Sequence, residues 1–257
     1  VHGLPLANVT DMGSKILAIT DGDSKLAHEI SETLGMAFFE TRGQMSQWLD
    51  ISAALDQVQE NASQGQMANK LVEWGDMAGS GFPTDGTELL RAMLDRGMTN
   101  VAVGFIYDPL CVSISHHAGP GAELNMRIGG KVSPYSGAPL DLNVVVERVY
   151  SDVCITSWGG GEAPCDAAVV RSGETEILLV SMRFLGSGLQ SFRDLGVEPT
   201  EKQFLLLKYL GGFESHELTS VFGSNFDYKT WPFTHITRPK YPWEPDPFSG
   251  DSAVEKK

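Results

Sequence analysis

Apolar and polar positions alternate with two different periods along this chain, and the change falls near Gly119. Upstream, short apolar runs are interleaved with segments whose apolar residues recur every three or four positions, the pattern of strands and helices in turn. Lys15-Ile16-Leu17-Ala18-Ile19-Thr20 reads as a strand, Asp21-Gly22-Asp23 as a turn, and Asp23 or Ser24 as a helix N-cap. Leu26, Ile30, Leu34 and Phe38 then lie on one face of a helix reaching about Glu40. Ile51, Ala54, Leu55 and Val58 predict a second helix over 51–62. Leu71-Val72-Glu73-Trp74 is a short buried strand, and Glu88–Leu94 has helical spacing. Asn100–Ile106 is apolar almost throughout, as a strand buried on both faces must be. Asp108-Pro109 opens a helix with proline at its first position, running through His116 and His117.

Downstream of Gly119 the period becomes two. Glu123–Ile128 and Leu140–Tyr150 alternate, and Ala167–Arg171 and Glu176–Ser181 flank Ser172-Gly173-Glu174-Thr175, a hairpin signal. Ser191–Gly196 is a short helix ended by glycine, and Phe204–Tyr209 a further buried strand. The predicted fold class is α/β: a mixed sheet with a parallel βα half and an antiparallel β section.

The polar stretch Ser63-Gln64-Gly65-Gln66 suggests a linker. Residues 1–67 read as the end of an upstream α/β domain plus this linker, 68–248 as the main domain, and 249–257 as a disordered tail. The first residue is Val1, and the lead-in reads as the continuation of a longer protein. A proline-rich stretch with Trp231 and Trp243 can form neither regular helix nor sheet and is expected to wrap the surface.

Composition narrows the function. A formal charge of −14 and a pI near 4.8 argue against nucleic acid and anionic membrane as partners. No run of eighteen apolar residues is present to cross a bilayer. Three cysteines without a Cys-x-x-Cys pair imply neither a disulfide framework nor a zinc knuckle, and fit free thiols in a reducing cytoplasm. The six histidines lack metal-ligand spacing, so no complete metal site can be written from this chain.

The candidate chemistry lies in Asp76-Met77-Ala78-Gly79-Ser80-Gly81-Phe82-Pro83-Thr84-Asp85-Gly86-Thr87, between a strand and a helix. Ligands of open α/β sheets bind at such strand ends. The loop has neither the phosphate-loop ending nor the dinucleotide glycine spacing. Asp85 suits the helix N-cap. Asp76 stands at the strand exit with no capping duty and is the candidate catalytic carboxylate. Gly79, Gly81 and Asp85 are candidate substrate contacts, with Lys208 at the exit of a buried strand and His2 in the lead-in. A lysine in that position either reaches water or meets an acid. His116 and His117 point to different helical faces, so at most one could enter a site.

Taken together, Asp76-x-x-Gly79-x-Gly81-x-Pro83-x-Asp85-Gly86-Thr87, Asp108-Pro109, Ala118-Gly119-Pro120-Gly121-Ala122, Gly129-Gly130-Lys131, Lys208 and Arg238-Pro239-x-x-Pro242-Trp243 resemble the C-terminal domain of the microcystinase C family. The lead-in Gly3–Val9 and Thr20-Asp21-Gly22-Asp23 look like the end of that family's N-terminal domain. The resemblance implies a zinc-dependent peptidase acting on small or linear peptides or amides. Its zinc would be held by the upstream domain, and this chain would cover the cleft. It also points to one departure: Met77 stands where the family loop carries an amide. A non-catalytic dimerisation or substrate-capping domain is the alternative reading, with a homodimer among its partners.

Overall fold

The computed structural model describes residues 15–41, 49–80, 82–157, 162–183, 186, 188–208 and 218–221. The chain divides into two compact units, residues 1–47 with 227–257, and residues 48–226.

The described part of the first unit is helix α1, Ser24–Glu40. Asp23 is its N-cap, its side chain accepting from the Leu26 N–H at 2.9 Å. Residues 15–20 form no strand, which corrects the expectation from their β-branched run. A strand needs a ladder partner, and among the described residues none pairs with this segment. The apolar stripe of α1 exists, but Leu26, Leu34 and Phe38 are exposed and the helix buries none of its residues. His2, the proline-rich stretch and the 249–257 tail lie outside the described residues, as does Gly159-Gly160-Gly161.

The second unit is built on one eight-stranded sheet in the order β3-β4-β5-β6-β2-β7-β1-β8. Its strands are β1 Asn69–Glu73, β2 Val101–Tyr107, β3 Glu123–Ile128, β4 Leu140–Thr156, β5 Glu162–Ser172, β6 Thr175–Val180, β7 Phe204–Leu207 and β8 Leu218–Val221. From β6 to β8 every neighbouring pair is parallel, and from β3 to β6 every pair is antiparallel. The sheet is therefore mixed, and β6 joins its two halves. Strands β4 and β5 extend beyond the predicted ranges as a long ribbon with register shifts near Arg148 and near Tyr150–Val153. Such irregularities bend a long strand and raise its twist.

Helices α2 Ile51–Ser63, α3 Glu88–Asp95 and α4 Pro109–Ala118 share one core, and α5 Gln190–Arg193 contributes to the other. Alternation sorts the central strands between them. Leu71, Val101, Val103 and Leu206 enter the first core, and Val72, Ala102, Phe105 and Leu205 the second. Both faces are covered, which is why these strands read as continuous apolar runs.

Helix α2 buries Ala54, Leu55 and Val58 in the first core. It falls in the same compact unit as the sheet, although it lies upstream of the boundary expected at residue 68. Val58→Ala should accordingly destabilise this unit by roughly 2 kcal/mol, at about 0.8 kcal/mol for each buried CH₂ plus a cavity term. Urea unfolding followed by tryptophan fluorescence measures it; a change under about 0.5 kcal/mol would mean that α2 is not part of the core.

Candidate functional site

The parallel strands β1, β7, β2 and β6 all leave the sheet at the same edge, and their exits carry the motifs. After β1 the chain makes two 3-10 turns, Trp74–Asp76 and Ala78–Ser80, and then the loop that leads to α3. β7 ends directly before Lys208, and β2 directly before Asp108.

Lys208 is 2% exposed. Its ammonium donates to Glu73 Oε2 at 2.6 Å, Asp76 Oδ2 at 2.9 Å and the Gly86 carbonyl at 2.7 Å. An ammonium has three N–H donors, and all three are used. Burial works against its charge, but Asp76 and Glu73 more than offset this and hold its pKa above the ordinary lysine value. Of the two fates open to a lysine at a buried strand exit, the structure selects meeting acids over reaching water.

Asp76 has a structural duty that its position in the sequence concealed. Its Oδ1 accepts from the Thr84 N–H at 2.7 Å and its Oδ2 from the Gly86 N–H at 2.6 Å. The carboxylate is 5% exposed. Burial pushes its pKa up to about 6; Lys208 opposes that rise and Glu73 adds to it. The loop folds tightly around this group. A Cβ at Gly86 would sit 2.7 Å from Asp76 Oδ2, so only glycine allows the backbone so close. Thr84 takes a φ of 62°, a conformation that β-branched residues avoid. Its N–H is held by Asp76, and its carbonyl by the Tyr107 N–H at 3.0 Å.

Asp85 does not cap α3, contrary to expectation. The N-cap residue is Thr87, without a side-chain capping bond. Asp85 is fully buried and points across to the β3–β4 loop. Its Oδ2 accepts from the N–H groups of Lys131 at 2.7 Å and Val132 at 2.8 Å, and its Oδ1 from the Ser136 hydroxyl. A carboxylate offers about four acceptor sites and here meets three donors from another loop, a stronger demand than a frayed helix end makes.

Asp108 does cap α4, accepting from the Cys111 N–H at 3.1 Å. It also accepts from the Gly129 N–H at 2.9 Å and pairs with the Lys131 ammonium at 2.7 Å. Gly129 is in the left-handed region at φ 62°, and a Cβ there would meet the Asp85 carbonyl oxygen at 2.6 Å. The Asp76 loop, Asp108-Pro109, Gly129-Gly130-Lys131 and Lys208 thus form one knot in which buried carboxylates accept backbone N–H groups. Glu73, Ser136 and Thr84 belong to it and escaped the sequence reading. An acid at the end of an apolar strand, as at Glu73, was the available signal.

The remaining candidates are scattered. Gly79 is exposed in the second 3-10 turn, and Gly81 and His2 lie outside the described residues. Met77 is buried in the second core, so its side chain serves packing at the root of the loop. His116 lies 3.3 Å from the Ala167 carbonyl and His117 2.8 Å from the Ser113 carbonyl, both through ring nitrogens. Cys111 is buried, and burial pushes its thiol up to about 12, which leaves little nucleophilic thiolate.

The described residues offer no fit for the zinc that the resemblance assigns to the upstream domain. No group of three His, Cys, Asp or Glu side chains converges among them. Where two acids do meet, at Glu73 and Asp76, the Lys208 ammonium already fills the cation's place. Among the described residues no helix is long and apolar enough to cross a membrane.

Fold and site together define a mixed-sheet α/β domain that presents a cross-braced set of loops at the carboxyl ends of its parallel strands. The family model for the MlrC C-terminus matches residues 71–217, more than half of the chain, and the chain belongs to that family. Microcystinase C of a Sphingomonas species is 28% identical over 251 residues, which cover 95% of this chain and 49% of that protein. A crystal structure of a candidate metallopeptidase from Mesorhizobium sp. BNC1 has the same fold, with a TM-score of 0.69 at 21% identity over 88% of this chain and 47% of that one. The chain therefore spans about half the length of the relatives it matches.

Proposed function

We propose that this chain is the C-terminal portion of a zinc-dependent peptidase acting on small or linear peptides or amides, and that it covers the cleft of a metal-binding half. The family membership and the name of the Sphingomonas relative support the hydrolase class. The carrying observation from the molecule itself is the knot at the strand exits. Asp76, Asp85 and Asp108 spend their oxygens on inward donors, which fixes the loops that would face a ligand. Preorganised loops of this kind hold a substrate in reactive geometry. In this reading Asp76 is a positioning residue, since a base must reach the proton it takes and this carboxylate faces Lys208 and two backbone N–H groups. The same observation favours a second reading, a substrate-capping domain with no reacting group of its own. Three cysteines without a Cys-x-x-Cys pair support a reducing, cytoplasmic setting.

The test uses the complete protein and a linear peptide, with products read by mass spectrometry. Dialysis against a chelator should abolish hydrolysis and zinc should restore it. The 257-residue chain alone should bind zinc more weakly than micromolar in calorimetry, because structural zinc needs about four ligands. Tight stoichiometric zinc in this chain would move the metal site into it. Chelator-resistant hydrolysis would refute metal dependence.

A further inference from the structure

Arg183 lies three residues beyond the end of β6, at the same sheet edge as the knot. It is exposed, and its Nη1 donates to the Phe82 carbonyl of the glycine loop at 3.4 Å. Its guanidinium carbon lies 5.9 Å from the ring centroid of Tyr107, the last residue of β2. Three strand exits, those of β1, β2 and β6, therefore meet at this one side chain. Its charge has no partner of opposite sign: among the described residues no carboxylate forms an ion pair with it. Elsewhere in the unit five arginines pair with acids, Arg96 with Asp56, Arg127 with Asp141, Arg148 with Glu176, Arg171 with Glu147 and Arg193 with Glu198, while Arg91 is spent on the Ala138 and Pro139 carbonyls. In a chain of net charge −14, Arg183 stands apart among the described arginines in having neither an acid nor more than one carbonyl contact. The acids at its edge of the sheet, Asp76, Asp85 and Asp108, are turned inward to other donors.

We infer that Arg183 is a specificity-determining residue that anchors a carboxylate of the substrate peptide. The inference rests on the peptidase reading above. A guanidinium has five N–H donors in a planar fork that matches a carboxylate, and one contact to Phe82 leaves most of the fork open. The Phe82 carbonyl and the Tyr107 ring orient the group, which reduces the entropy lost when an anion binds. The surrounding negative charge repels anions from other approaches, so this unpaired guanidinium marks where an anionic group can land.

The experiment compares the complete zinc-loaded protein with its R183Q and R183K variants on matched linear peptides. One peptide keeps its C-terminal carboxylate and an internal Glu, a second is amidated at the C-terminus, and a third has Gln for Glu. A charge-assisted bond of about 1.5–3 kcal/mol corresponds to roughly a 10- to 100-fold change in KM. R183Q should raise KM by that factor for the peptide carrying the anchored carboxylate and leave its kcat within about twofold. R183K should fall between, keeping the charge and losing the fork. Loss of the R183Q effect on amidation assigns the terminal carboxylate, and loss on Glu→Gln assigns the side chain; both support the anchor. Equal KM for all three peptides in the unmutated protein overturns it, as does an R183Q effect that is uniform across peptides or confined to melting temperature. Absence of hydrolysis of every peptide by the zinc-loaded protein overturns the peptidase reading, and the anchor with it.

Discussion

Lys208→Met should lower the stability of this unit by about 3–5 kcal/mol, the cost of leaving buried charges without their partner. Lys208 compensates two carboxylates at once, Glu73 and Asp76, and binds the Gly86 carbonyl as well. Methionine fills much of the volume but supplies no donor, so two acids would face each other in a dry site. At roughly 2–4 °C per kcal/mol for a unit of this size, the melting temperature should fall by about 10 °C. The sign of the pH dependence follows from the raised pKa of Lys208. Its stabilisation is fully present below the ordinary lysine value of 10.5 and is lost only as pH rises through the higher folded value, so the full effect is expected at neutral pH. Adding Glu73→Gln and Asp76→Asn to Lys208→Met should recover part of the loss, because both uncompensated charges are then gone. A loss below about 1 kcal/mol for Lys208→Met, measured by urea unfolding, would show that the ammonium is not what holds this edge together.

Asp76→Asn should cost about 2–3 kcal/mol at neutral pH. The amide keeps the shape of the carboxylate but turns one acceptor into a donor, and that donor would point at the Thr84 N–H or at the Gly86 N–H and Lys208. The difference between the two proteins should also depend on pH. The folded pKa of Asp76 is raised to about 6 from 3.8, so between these values the folded state binds more protons than the unfolded state. The contribution of Asp76 therefore falls as pH climbs through that window and is level above it. Asn has no such titration, so Asp76→Asn should cost more at pH about 4.5 than at about 7.5, by roughly 1–3 kcal/mol at about 1.4 kcal/mol per pKa unit. Unfolding free energies of both proteins at the two pH values decide this. A cost that is larger at the higher pH would place the folded pKa below the unfolded one. In the complete protein, hydrolysis by Asp76→Asn separates the two roles: a loss of roughly a hundredfold or more with unchanged stability would return Asp76 to the role of a reacting group.

Much of the fold could be read from the sequence because it rests on local periodicity. The run from Val101 to Ile106 could only be a strand covered on both sides, and Asp108-Pro109 could only begin a helix. The alternating stretches around Ser172-Gly173 required antiparallel pairing. Two segments misled for opposite reasons. Residues 15–20 have strand composition, but composition cannot supply a neighbouring strand. Helix α2 looked like part of a separate unit because a polar linker follows it, yet Ala54, Leu55 and Val58 fit the core beneath the sheet.

The sequence by itself marked part of the candidate site, since Asp76, Asp85, Asp108, Lys131 and Lys208 stood out in their short strings while Glu73 and Ser136 did not. Only the tertiary structure decided what each of them does. Asp76 and Lys208 are 132 positions apart and meet because β1 and β7 are parallel neighbours. Asp85 reads as a helix cap until the β3–β4 loop brings three donors to it from 46 to 51 residues away. Arg183 shows no local signal at all, because an unpaired arginine is defined by the acids that do not reach it. Helix and strand patterns are set by neighbours in sequence, whereas the role of a charge is set by whatever donor or acceptor the fold places within about 3 Å.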